Sequence, residues 1–99
     1  MKSSIQPLRD GDPKSFQGWI LKGLIGEGGQ STIYLAEKER QQVALKVIKK
    51  ENLHDQLAVE RFFTEIKNLE LLDHPKIARY VESNTSSGVP YFAVEYISG

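Results

Sequence analysis

From Trp19 onward the chain falls into short runs of branched and aromatic residues separated by Gly, Gln and Asn clusters. Five of these runs, 19–25, 32–37, 43–49, 77–82 and 91–96, read as β-strands. The third shows the period most clearly. In Val43-Ala44-Leu45-Lys46-Val47-Ile48, alternation puts Val43, Leu45 and Val47 on one face and Ala44, Lys46 and Ile48 on the other, so both faces are apolar except at Lys46. The connectors 26–31 and 38–42 are of hairpin length, which makes the first three strands antiparallel neighbours.

Between the third and fourth strands the period changes to that of a helix. Over 56–72, Phe62, Ile66, Leu69 and Leu72 recur at i, i+4, i+7 and i+10, with Asp55 placed to cap the start and Pro75 to enforce the stop. The stripe Phe62, Phe63, Ile66, Leu69 and Leu72 reads as core against sheet. The order strand, strand, strand, helix, strand, strand predicts an α+β fold: a five-stranded antiparallel sheet whose one apolar face is covered by a single long helix. Residues 1–18 carry Pro7, Gly11, Pro13 and Gly18 among polar residues without either period, and read as a flexible leader or linker that wraps or frays. The run ends at Ile97-Ser98-Gly99 directly after a strand, so the expected domain is 19–99, cut at that point with more protein following.

Composition narrows the function classes. The chain has 99 residues, enough for one core but not two, and 13 Lys+Arg balance 13 Asp+Glu. Zero formal charge removes the field on which nucleic-acid and anionic-membrane binders depend, and neither partner is expected for this segment. The absence of Cys excludes a disulfide framework and a thiol nucleophile. Two histidines, His54 in a polar approach to the helix and His74 before Pro75, argue against a metal cage, and no metal site is expected here. No apolar stretch approaches the roughly 20 residues of a spanning helix, and the N-terminus lacks the apolar core of a signal peptide.

Three features carry candidate chemistry. In Gly26-Glu27-Gly28-Gly29-Gln30-Ser31, glycines between two strands allow backbone N–H groups to approach a phosphate; the plain alternative is a flexible hairpin tip. Gly28 is not followed by the Lys-Ser/Thr of a Walker loop, and Ser31-Thr32-Ile33-Tyr34 leads into a strand where a dinucleotide-binding turn needs a helix. Lys46 is either a charge guarding an edge strand or a functional lysine. Glu65, three residues after Phe62 and four before Leu69, lies along the apolar helix stripe, whereas Glu60 and Glu70 lie off it. A buried Lys or Glu alone costs several kcal/mol, on the order of a lost hydrogen-bonded charge, so the two are expected to pair, as a structural ion pair or as part of a site.

Taken in order, these residues resemble the N-terminal lobe of a protein kinase. Gly26-x-Gly28-x-x-Ser31-x-Ile33, Val43-Ala44-Leu45-Lys46, Phe63-Thr64-Glu65-Ile66, Asp73-His74-Pro75-Lys76-Ile77 and Tyr91-Phe92-Ala93-Val94-Glu95-Tyr96 follow the family's signatures over residues 19 to 99. The loop Gly-Glu-Gly-Gly-Gln-Ser-Thr-Ile-Tyr-Leu-Ala and the helix segment Arg61-Phe62-Phe63-Thr64-Glu65 are similar to bacterial eukaryotic-like serine/threonine kinases. One departure is Ser31 where the signature has its third glycine.

The resemblance implies roles residue by residue. Gly26, Gly28 and Ser31, with Glu27 and Gly29 between them, roof the ATP phosphates; Lys46 contacts the α- and β-phosphates and Glu65 orients Lys46. Ile25, Ile33 and Ala44 sandwich adenine, Val94 is the gatekeeper, and the main chain of Glu95 and Ile97 meets the adenine edge at the hinge. Leu69 and Tyr80 fit the hydrophobic spine linking the lobes. The catalytic base and the Mg²⁺ ligands belong to a C-terminal lobe that this stretch lacks. The partners implied are ATP, that lobe and a protein substrate, in a cytoplasmic setting. The segment by itself is expected to be inactive and to self-associate through its uncovered cleft. The alternative is a pseudokinase-like regulatory or interaction module without catalysis.

Overall fold

The computed structural model describes residues 5–71, 79–84 and 88–96. The elements are β1 (Ser15–Phe16), β2 (Trp19–Glu27), β3 (Ser31–Lys38), β4 (Gln41–Ile48), a 3₁₀ turn (Lys50–Asn52), α1 (Gln56–Leu71), β5 (Tyr80–Asn84) and β6 (Tyr91–Glu95). They form one antiparallel sheet in the order β1-β2-β3-β4-β6-β5. The α+β architecture expected from the residue pattern is present, with one strand more than expected. The extra strand arises where Gln17 and Gly18, both at positive φ (52° and 88°), turn Phe16 back opposite Trp19 in a two-residue hairpin. The helix begins as expected, since Asp55 Oδ1 accepts the N–H groups of Leu57 (3.1 Å) and Ala58 (3.3 Å). The Leu72 and Pro75 helix stop, the strand start at 77, the side chain of Leu69 and the chain end from Ile97 lie outside the described residues.

Both faces of the sheet carry a core, and this corrects the expectation of one apolar face under one helix. Cross-strand partners share a face. Tyr34 opposes Leu45, Ala36 opposes Val43, Leu45 opposes Ala93 and Val47 opposes Tyr91, so these residues line the face away from α1. Together with Trp19 and Leu21 they make the larger buried cluster. What closes it is the sheet itself, curled until its first strands meet its last. Trp19 Nε1 donates to Glu82 Oε2 at 3.0 Å, and the Phe16 ring stands edge-on to Tyr91 with centroids 5.2 Å apart. On the opposite face Ile48 and Phe92 pack against Phe62 and Ile66 of α1, each of those two side chains contributing about 2 kcal/mol by burial. Phe63, placed in the core stripe by its spacing, is 40% exposed, because it follows Phe62 by about 100° around the helix.

Residues 5–16, expected as a leader without elements, run against the sheet. Gln6 and Leu24 exchange both backbone hydrogen bonds (2.8 and 2.7 Å), Leu21 N–H donates to Lys14 O, and Leu8 and Phe16 pack on the larger core. Gly23 permits this approach: a Cβ there would lie 2.7 Å from Ile5 Cγ2.

Candidate functional site

The face toward α1 assembles most of the residues singled out by motif. Ile33 opposes Lys46 across β3 and β4, and Lys46 opposes Phe92 across β4 and β6. One row along, Leu35 opposes Ala44 and Ala44 opposes Val94. Ile33, Ala44 and Val94 are therefore on one face, and all are only partly buried, as is Ile25 at the bulge between Leu24 and Gly26. They form an apolar floor that α1 leaves partly open.

At the α1 side of this floor, Lys46 Nζ lies 3.0 Å from both Oε1 and Oε2 of Glu65. The pair is not buried as expected: the Lys46 side chain is 24% exposed and that of Glu65 46%. Glu65 sits at the edge of the helix stripe, one turn from Phe62, so its carboxylate reaches the lysine from a position that water also reaches. The Phe92 ring centroid is 5.8 Å from Nζ, adding an aromatic face beneath the ammonium. The sequence alone gives Phe92 no role; its proximity to Lys46 depends on β4 pairing with β6, which no local signal encodes. Gln30 and Ser31 at the end of the glycine-rich turn line a cavity of about 70 Å³ together with Lys46, Arg61 and Glu65, so turn and ion pair share one small cleft. Larger recesses of about 540 and 590 Å³ lie elsewhere and contain neither Lys46 nor a glycine of this turn.

The turn itself is anchored by its carbonyls and leaves its glycines uncovered. Lys49 N–H donates to Gln30 O (2.9 Å), Asn52 Nδ2 donates to Gly29 O (3.1 Å), and Gly28 N–H donates to Ser31 O (2.9 Å). A Cβ added at Gly26, Gly28 or Gly29 meets nothing within 4 Å, so among the described residues no neighbour requires glycine at these positions. What small residues leave open there is access to the backbone from outside. Ser31, in the third-glycine position, is buried at the start of β3, opposite Ile48. The Glu27 carboxylate is taken up by Lys49 Nζ at 2.8 Å and Arg9 Nη1 at 2.6 Å, which hold it below the usual carboxylate range. At the other end of the floor, Glu95 N–H donates to Arg79 O (2.7 Å) and Tyr96 N–H to Gln42 O (3.2 Å), fixing the strand that leads to the expected hinge. Tyr80 is half-buried with its hydroxyl 2.7 Å from Ser83 Oγ, and Ile97 lies outside the described residues.

Sheet, helix, glycine-rich turn and strand lysine on a helix carboxylate together define the smaller, N-terminal lobe of a phosphotransferase fold. The chain belongs to the protein kinase family: the family model described as "Protein kinase domain" matches residues 19–99. It is 31% identical over 78 residues to serine/threonine-protein kinase PrkC of Bacillus subtilis (strain 168), covering 77% of this chain and 12% of that protein. Serine/threonine-protein kinase PknB of Mycobacterium leprae (strain TN) is 35% identical over 85 residues, 80% of this chain and 14% of the relative. A eukaryotic relative, serine/threonine-protein kinase ULK3 of Xenopus laevis, is 30% identical over 90 residues, 88% of this chain and 19% of the relative. The chain thus spans less than a fifth of the length of these curated relatives. Among the described residues no helix is long and apolar enough to cross a membrane, and no group of three His, Cys, Asp or Glu is placed to hold a metal.

Proposed function

We propose that this chain is the ATP-binding lobe of a serine/threonine protein kinase that moves the γ-phosphoryl group of ATP to a protein hydroxyl. The observation that carries the reading is Lys46 Nζ at 3.0 Å from both oxygens of Glu65, in one cleft with the end of the glycine-rich turn. A lysine so held has its ammonium fixed in place while its outer side stays open to an anion. Phosphate oxygens are the anion that fits, because Gly26, Gly28 and Gly29 leave the backbone of the turn open to approach from outside a few residues away, with Gly28 N–H itself engaged by Ser31 O. Ile25, Ile33 and Ala44 supply an apolar floor for a purine, with Val94 at its back. Since Glu95 N–H is committed to Arg79, the adenine contact at this residue falls to its carbonyl, and the next to the main chain of Ile97. Mg²⁺, which the family uses with ATP, neutralises phosphate charge; its ligands and the base for the substrate hydroxyl are assigned to a second lobe.

The test uses the whole kinase carrying this lobe, with phosphoryl transfer from labelled ATP measured for Lys46→Met, Glu65→Gln and the double variant. Lys46→Met is expected to lose at least about a hundredfold in transfer, roughly 2.7 kcal/mol of transition-state stabilisation. The double variant should cost little more than either single one, because the two residues act as a unit. With both side chains partly open to water, stability should change by less than about 1 kcal/mol. Retention of more than about a tenth of the activity, or simple addition of the two effects, removes this pair from the site.

A further inference from the structure

The relay of contacts that runs through Glu27 ends in the N-terminal segment, outside every kinase motif of the chain. Arg9 forks onto Asp12 through Nε (3.0 Å to Oδ2) and Nη2 (3.1 Å to Oδ1), and its Nη1 reaches Glu27 Oε1 at 2.6 Å. Asp12 Oδ1 also accepts the hydroxyl of Tyr34, whose ring is buried in the larger core. The Asp12 carboxylate is only 7% exposed, so the fork is seated on the core and not on a mobile surface chain. Lys49, just beyond β4, takes the other oxygen of Glu27 at 2.8 Å. The segment is itself fixed by the paired backbone bonds of Gln6 with Leu24, two residues before the turn begins at Gly26, and by the close approach of Ile5 to Gly23.

We infer that residues 5–12 form a strap that positions the glycine-rich turn, with Arg9 as a positioning residue acting through Glu27. This rests on the reading of that turn as a phosphate roof. The chemistry gives the strap two effects. It ties the turn to the buried Tyr34 through Asp12, limiting how far the turn can lift. It also places a second cation on Glu27, so that the only acid in the turn is counterbalanced twice over before a polyanion arrives. A freely hinged turn with a bare carboxylate would repel the phosphates it has to cover.

The experiment compares Arg9→Ala, Arg9→Lys, Glu27→Ala and the pair Arg9→Ala with Glu27→Ala. In the 99-residue chain, amide hydrogen exchange is followed at Gly28 and Lys49, whose N–H groups bond within or onto the turn. In the whole kinase the same variants are assayed for KM of ATP and kcat. Arg9→Ala should speed exchange at Gly28 and Lys49 by about three- to tenfold while α1 and the β4–β6 pairing keep their protection. It should raise KM for ATP by a similar factor with a smaller effect on kcat. Arg9→Lys, which keeps the charge but not the fork, should fall between, and it serves if Arg9→Ala does not fold. In the Glu27→Ala background, where no oxygen is left for Arg9 to reach, Arg9→Ala should add nothing. Unchanged exchange at the turn, a uniform rise across the whole sheet, or multiplying effects of the two substitutions overturns the strap. Faster exchange at the turn in a parent that neither binds ATP nor transfers phosphate keeps the strap and overturns the reading of the roof.

Discussion

Replacing Glu82 by alanine should be among the most damaging single changes to this lobe, although Glu82 belongs to no kinase motif. Its Oε2 accepts both the indole N–H of Trp19 (3.0 Å) and the hydroxyl of Tyr91 (2.8 Å), while Lys38 Nζ stands 3.8 Å from Oε1 and 4.5 Å from the Trp19 ring centroid. These groups come from β2, β3, β5 and β6, so one carboxylate closes the curl of the sheet. Trp19 is fully buried and Tyr91 is 4% exposed, hence neither donor has a ready substitute partner. Two hydrogen bonds to a charged acceptor are worth about 3–6 kcal/mol together. The Glu82 side chain is itself one-third exposed, so water can follow it into the gap, and the net loss should be about 2–4 kcal/mol. For a domain of this length that is a lowering of Tm by roughly 10–30 °C out of a total stability of about 5–15 kcal/mol. Glu82→Gln is the control. Its amide oxygen can accept both donors, so only the charge is lost and the cost should be about 1 kcal/mol. Urea unfolding of both variants, followed by far-ultraviolet circular dichroism and by the fluorescence of the single tryptophan, measures the difference. If alanine costs no more than glutamine, or less than about 1 kcal/mol, Glu82 does not close the sheet.

Acid should weaken the lobe in a defined window. Asp12 is held down at about 2, first by the Arg9 hydrogen bonds; Glu27 is lowered by Lys49 and then Arg9; for Glu82 burial pushes upward but the bonds from Trp19 and Tyr91 outweigh it. Because these folded values lie below the unfolded ones, the stabilisation is complete above about pH 5 and drains as pH falls from about 4 toward 2, which a pH series of thermal melts measures. At the other end, burial and then the bonds to Asp12 and Glu82 push Tyr34 and Tyr91 up to about 12, so stability present below pH 10 should be lost as pH rises through 12. The β3–β4 hairpin turns on Glu39 and Arg40 at φ 50° and 70°, a left-handed pair better suited to Asn and Gly. Glu39→Asn with Arg40→Gly should therefore raise stability by about 1 kcal/mol, and no gain in urea unfolding would argue against strain at this turn.

The parts of this protein that are set by neighbours along the chain are legible without coordinates. Asp55 caps the helix because its carboxylate needs to reach only two or three residues ahead, and Phe62 and Ile66 share a stripe because 3.6 residues make a turn. Alternation in β4 alone puts Lys46 with Ala44 and Ile48, and helix spacing puts Glu65 near the stripe that meets them, so the meeting of the two follows from two local periods, whereas the burial expected to force it is absent. Long-range pairing decided the rest. That β4 lies beside β6, bringing Phe92 under Lys46, that the sheet curls until Trp19 meets Glu82 across 63 residues of sequence, and that the curl builds the larger core on the face away from the helix, are outcomes of competition among contacts between segments far apart in the chain. The N-terminal segment shows the limit most plainly. Between Pro7 and Pro13 no hydrophobic period marks Arg9 or Asp12; the two bond each other at a spacing of three, but what seats them is β2 and β3, because only the folded sheet presents Leu24, Glu27 and Tyr34 where that segment can bind them.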